Sequence, residues 1–198
     1  MAHEPPSFDR AGSERAIAAL IRALGLDPAT EPELAETPAR VADLYAEIFS
    51  GLDPASAPAL ATFPTPPSTG EDLVLVRDLP FYSLCVHHFV PFFGRAHVAY
   101  LPGRRLLGIS GMARVLQHHA RRPQLQERLA AQVADHLERA LEPRGVAVVL
   151  QARHLCMEMR GIRSPGTVET RTLRGALAEP HWASTLPDAG GLGDPHGA

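Results

Sequence analysis

FYSLCVHHFVPFFGRAHVAYLPG, residues 81–103, sets two apolar runs around a short stretch that holds a thiol and two imidazoles. The second run, FVPFFGRAHVAYL (89–101), is rich in aromatic residues and valine, which fit a pleated, half-buried surface. Pro91 and Gly94 within it predict an edge position or a bulge. Between the runs, SLCVHHF (83–89) places one of the two cysteines of the chain beside two of its ten histidines. A cysteine taken alone is most often a small buried apolar residue. The Cys-x-x-His spacing of Cys85 and His88 lets a thiolate and an imidazole reach one ion from a turn, and these are ligands that zinc prefers.

Working outward, DLVLVRDL (72–79) reads as a short strand. GISGMARVLQHHARR (108–122) starts a helix with Ser110 as its cap. A second helix follows Pro123, with Leu125, Leu129, Val133, His136, Leu137 and Leu141 along one face and Pro143 and Gly145 ending it. VAVVLQA (146–152) is an apolar strand, HLCMEMRGI (154–162) continues in β, and TVETRTLRGAL (167–177) is one more strand. Upstream, SERAIAALIRALGL (13–26) carries Ile17, Leu20, Ile21 and Leu24 on one face, with Ser13 as cap and Gly25 as stop. In ETPARVADLYAEIFSG (36–51), Thr37 caps and Pro38 takes the first helical position.

This order predicts an α+β protein with an antiparallel sheet and a helix pair on one face. The expected divisions are an N-terminal helical region at 1–52, an irregular linker at 53–70, a catalytic domain at 71–178 and a loose tail at 179–198.

The 198 residues carry a formal net charge of -3, so no overall basic field points to nucleic acid or to an anionic membrane. No apolar run approaches the roughly 20 residues that span a bilayer, and MAHEPPSFDR lacks the basic-then-apolar pattern of a secretory signal. A cytoplasmic protein is expected. In a reducing compartment the two cysteines are more apt to bind metal than to pair. Cys156 is the only thiol available to join Cys85 and His88. A Cys₂His set leaves a tetrahedral position open, the pattern of a catalytic metal. His87 and His154 sit beside these ligands without being needed as ligands, and imidazoles so placed carry protons near neutral pH.

FYSLCVHHFVPFFGRAHVAYLPG, LGIS (107–110), ARRPQLQERLA (120–130), RGVAVVLQARHLCMEMRGIRSPG (144–166) and ETPARVADLYAEIFSGL (36–52) together resemble GTP cyclohydrolase I, from about Glu14 to about Gly175. The resemblance implies a tunnelling fold (T-fold) behind an N-terminal helical part, and a homodecamer with active sites at subunit interfaces. It implies a zinc ion on Cys85, His88 and Cys156, and a water activated there that attacks C8 of GTP. The imidazole ring then opens, formate leaves, and reclosure gives 7,8-dihydroneopterin triphosphate. By the same resemblance His154 protonates the purine and His87 serves proton transfer at the ribose, with Ser110 near the ribose. Gln126 and Glu127 anchor the guanine edge, and Arg40, Arg114 and Arg160 hold the triphosphate. The residue chemistry agrees, because a carboxylate accepts two in-plane hydrogen bonds and guanidinium forks suit phosphate oxygens.

Each of these residues has a plainer role open to it. Glu127, Arg40 and Arg114 fit solvated helix faces. Arg160 fits an ordinary ion pair. His118 and His119, a second adjacent pair, have no thiol near them in sequence and are expected at a surface or interface. His97 follows a strand pattern and is expected to be structural.

Three positions depart from the family pattern. Val86 replaces a glutamate, Gly111 replaces a phosphate-contacting lysine, and Arg171 replaces a small hydroxyl residue, where it restores some positive charge. These departures leave two alternatives to the cyclohydrolase reading. One is a related cyclohydrolase acting on a different guanine nucleotide or serving a specialised pterin or deazapurine pathway. The other is a catalytically silent zinc-binding assembly subunit.

Overall fold

The computed structural model describes residues 8–67, 72–183 and 186. The chain forms two compact units, Met1–Ser56 and Ala57–Ala198.

In the first unit, helix α1 spans Arg10–Ala23 and α2 spans Thr37–Ile48. Asp9, not Ser13, caps α1, its side chain accepting from Gly12 N. The helix stops where expected. Gly25 takes φ +87°, its N–H bonds Arg22 O, and Leu26 N–H reaches back to Ile21 O. This is the left-handed ending that glycine permits without steric cost. Helix α2 begins at Thr37 with Glu36 as its cap and Pro38 in the first turn, one residue off the expected register. Arg10 bridges the two helices through both oxygens of Asp43. Of the expected α1 stripe only Ile21 is buried, while Leu20 and Leu24 are exposed.

The second unit is built on a five-stranded sheet. Strand β1 is Thr62–Pro64, β2 is Val74–Cys85, β3 is Pro91–Leu101 and β4 is Arg105–Leu107. Helix α3 is Ser110–Ala120, β5 is Pro123–Gln124, α4 is Gln126–Leu141 and β6 is Gly145–His154. One helical turn, α5 at Leu155–Glu158, leads to β7 at Thr167–Gly175. The sheet order is β5-β2-β3-β6-β7, antiparallel except where the short β5 pairs parallel to β2. Strands β1 and β4 form a separate ribbon, so 62–64 is not linker. Ser110 is the first residue of α3 rather than its cap. The segment HLCMEMRGI turns into α5 instead of continuing in β.

Helices α3 and α4 cover one face of the sheet. Met112, Val115, Leu116, Leu129, Val133, Leu137 and Leu141 pack against Phe81, Phe92, Val98, Tyr100, Val148 and Leu150, all fully buried. Each large side chain removed from water contributes about 1.5–3 kcal/mol. A smaller cluster of Ala99, Leu101, Ala147, Leu177 and Leu186 lies apart from this core. The expected bulge is not at Pro91 or Gly94. The ladder slips on β2 between Val76 and Leu79, where Asp78 takes φ +58° and donates its N–H to His97 Nδ1. Gly94 instead serves close approach: a Cβ there would meet Gln151 O at 1.7 Å on the neighbouring strand.

Candidate active site

Register brings the chemistry together. Ser83, Phe92 and His154 lie in one row across β2, β3 and β6. Cys85 stands two residues past Ser83, and Cys156 two residues past His154. Strand β3 begins at Pro91, so the chain on either side runs beyond its end and converges there. On one side the overhang is a hairpin turn: Cys85 N–H bonds Val90 O, Phe89 N–H bonds Cys85 O, and Phe89 takes φ +52°. Val86 N–H bonds Gln124 O, which ties this turn to β5. On the other side α5 carries Cys156. Arg153 grips Glu158 with two hydrogen bonds of 3.0 and 2.6 Å and so clamps α5 to the end of β6. Arg153 also lies 5.9 Å over the Phe93 ring. Nothing in the spacing of the sequence marks this clamp.

The donor atoms of Cys85, His88 and Cys156 lie within 4.8 Å of one another, and these three are the one such group among the described residues. Cys85 is buried, Cys156 half-buried and His88 exposed, so the set has a closed side and an open side. Burial, and next the Cys85 thiol, pushes the Cys156 thiol above its ordinary pKa. A divalent cation reverses that shift by binding the thiolate form. Donor types and spacing thus fit a metal ion.

The neighbours are arranged around this set. His87 is exposed, with Nδ1 3.7 Å from Cys85 Sγ. Arg160, also exposed, donates to His88 Nε2 at 2.8 Å. That bond and a metal on His88 exclude each other. A metal on Nε2 displaces the arginine, and a metal on Nδ1 leaves a proton on Nε2 that bars an N–H from donating there. His154 stacks on Phe92, centroids 4.7 Å apart and planes 6° from parallel. Burial lowers the His154 pKa, while the Glu127 and Glu158 carboxylates act the other way. Glu127 is exposed on the first turn of α4.

Gln126 is different. It is 2% exposed, its Nε2 donates to Leu150 O and Val168 O, and its Oε1 meets His154 Nε2. With both N–H groups spent on these carbonyls, the Gln126 side chain has no donor left for a guanine edge in this arrangement. Ser110 and Arg114 are exposed on α3. Arg40 belongs to the first unit, where it pairs with Glu36 on its own helix. Gly111 is buried, and a Cβ there would fall 2.7–3.0 Å from the Leu107 side chain, so the position has no room for lysine unless Leu107 shifts. Arg171 pairs with Glu169 on its own strand.

His118 and His119 are not surface residues. They are 8% and 6% exposed and meet His136 of α4. His97 is buried at 5%, as a structural role requires.

The sequence profile of GTP cyclohydrolase I matches residues 13–185. A GTP cyclohydrolase 1 from Mycobacteroides abscessus is 52% identical over 171 residues, covering 85% of this chain and 82% of that protein. One from Geobacillus kaustophilus is 48% identical over 174 residues, covering 87% and 91%. One from Thermobifida fusca is 47% identical over 178 residues, covering 88% and 84%. A match of this extent, over a chain whose register assembles the two thiols and the imidazole, shows that the chain belongs to the GTP cyclohydrolase I family.

Proposed function

We propose that this protein is a zinc-dependent GTP cyclohydrolase I that releases formate from GTP and forms 7,8-dihydroneopterin triphosphate. The convergence of Cys85, His88 and Cys156 beside His87 and His154 carries the reading. A zinc ion on the Cys₂His set, when bound, supplies Lewis acidity and a water activated near neutral pH. The protein residues do the rest. Glu127 accepts from N1–H and the 2-amino group of guanine. His154 handles the proton at the purine and His87 that at the ribose, with Ser110 near the ribose hydroxyls. Arg114 and Arg160 hold the triphosphate, joined by Arg40; metal on His88 frees Arg160 for that task. The working form is a homo-oligomer, a decamer by family resemblance, in the cytoplasm. No helix among the described residues is long and apolar enough to cross a membrane.

One observation favours a second reading, a preference for a guanine nucleotide with fewer phosphates. Gly111 offers no cation, and a Cβ there would require the Leu107 side chain to shift. Zinc-loaded protein is incubated with GTP, GDP and GMP, and formate and the fluorescence of the oxidised pterin are followed. Formate and pterin from GTP in preference to the others is the expected result. Faster turnover of GDP or GMP establishes the second reading. No formate from any of them overturns both and leaves the silent zinc-binding subunit.

A further inference from the structure

We propose that Gln126 is a positioning residue: it fixes the proton of resting His154 on Nε2, so that Nδ1 is the ring atom that takes up a proton and delivers it to the substrate. A primary amide has two N–H donors on one atom and only lone pairs on the other. Nε2 of Gln126 lies 3.1 Å from Leu150 O and 2.9 Å from Val168 O. Carbonyl oxygens only accept, so the nitrogen must occupy this end; the amide turned over would set oxygen against two oxygens. Oε1 therefore faces His154, whose Nε2 is 2.7 Å away. The amide oxygen accepts, so Nε2 must donate. A neutral imidazole protonated at Nε2 has its lone pair on Nδ1.

The chain of constraint runs from two strand carbonyls, through one buried amide, to the choice of tautomer. The partners are rigid. Gln126 is 2% exposed, Leu150 belongs to β6, Val168 belongs to β7, and the His154 ring is stacked on Phe92. Nδ1 of His154 has no hydrogen-bond partner among the described residues, so it is the nitrogen that no protein group engages. Gln126 thus leaves the recognition of guanine to Glu127. The assignment of Nδ1 to substrate rests on the cyclohydrolase reading; the tautomer itself does not.

The test is solid-state NMR of zinc-loaded protein labelled with 15N-histidine, with the His154 signals assigned by their loss in His154→Gln. The expected pattern is a protonated Nε2 and an unprotonated Nδ1. A proton on Nδ1 of the unaltered protein overturns the proposal, whether or not any variant folds. In Gln126→Met the tautomer preference should be lost and zinc content kept. Formate release should then fall roughly 10- to 100-fold in kcat with KM for GTP changed less than about threefold. A raised KM with an unchanged tautomer assigns Gln126 to guanine binding instead and also overturns the proposal. If the unaltered protein shows the expected tautomer but makes no formate from GTP, the cyclohydrolase reading fails and the role of Gln126 toward His154 stands.

Discussion

The chain contains two adjacent histidine pairs that look alike in sequence and live in opposite surroundings. His87 and His88 occupy a hairpin turn, exposed, with His87 beside the Cys85 thiol and His88 within reach of both thiols. His118 and His119 close helix α3, buried, beside Arg122 and His136. Arg122 donates to His118 Nε2 at 2.6 Å, and His119 Nε2 meets His136 Nδ1 at 3.1 Å. Burial first, then Arg122, His118, His136 and Arg139, lower the His119 pKa to about 3. Two of its neighbours are arginines, so a divalent cation is repelled there. Thiols stand beside one pair; in the other, burial first and then Arg122 lower the His119 pKa. The neighbours brought up by the fold, not the dipeptide, assign the chemistry.

The sharpest way to break this comparison is to remove a thiol. Cys156→Ala is expected to abolish stoichiometric zinc and lower formate release by at least about 1000-fold, on the scale set by loss of an activated water. Metal analysis beside the formate assay checks it, and a variant without zinc that keeps activity refutes the metal reading.

Arg160→Ala comes next. It removes a charged contact of about 1.5–3 kcal/mol, so KM for GTP should rise roughly 10- to 100-fold while zinc stays. An unchanged KM returns Arg160 to the role of a local partner for His88.

The buried pair is probed by acid. The folded pKa of His119, about 3, lies below the unfolded value near 6.5. Above pH 6.5 neither state is protonated and the group is neutral to stability. As pH falls below 6.5 the unfolded chain takes up a proton that the folded chain refuses, so stability drops until about pH 3. His119→Phe should spare about 1–2 kcal/mol of the loss between pH 6.5 and 5, read from denaturant midpoints. It also removes the buried, unpartnered Nδ1 of His119. Parallel pH profiles in both proteins contradict the reading.

The smallest effect belongs to His118→Gln, whose amide oxygen accepts from Arg122 in place of Nε2. Stability should move by no more than about 1 kcal/mol and the zinc-to-protein ratio not at all. Loss of zinc would join the two histidine pairs into one site.

The sequence revealed what local chemistry decides. Helix α4 follows from its stripe and from Pro143, β6 from an unbroken apolar run, and the metal set from Cys-x-x-His with a single further thiol. What it concealed depends on partners distant in the chain. Thr62–Pro64 reads as linker because its strand partner, Arg105–Leu107, lies some forty residues on. The amide contacts of Gln126 leave no mark because its acceptors, Leu150 O and Val168 O, belong to other strands. The burial of His118 and His119 follows from helix packing and leaves no mark in the spacing. Arg153 and Glu158 form a clamp only because the chain turns into α5 between them.

Strand β6 is flanked for almost its whole length, by β3 on one edge and β7 on the other, and His154 is its last residue. Amides in such a strand exchange with deuterium only when the whole sheet opens. The Val86–Phe89 stretch lies outside the ladder, tied by backbone bonds to Cys85 and Gln124, and is expected to open locally at lower cost. The turn and the end of β6 are thus expected to open as separate units. If the turn opens while β6 holds, the histidine, its amide partner and the stacked Phe92 keep their places, and a molecule without metal would wait in a nearly finished form.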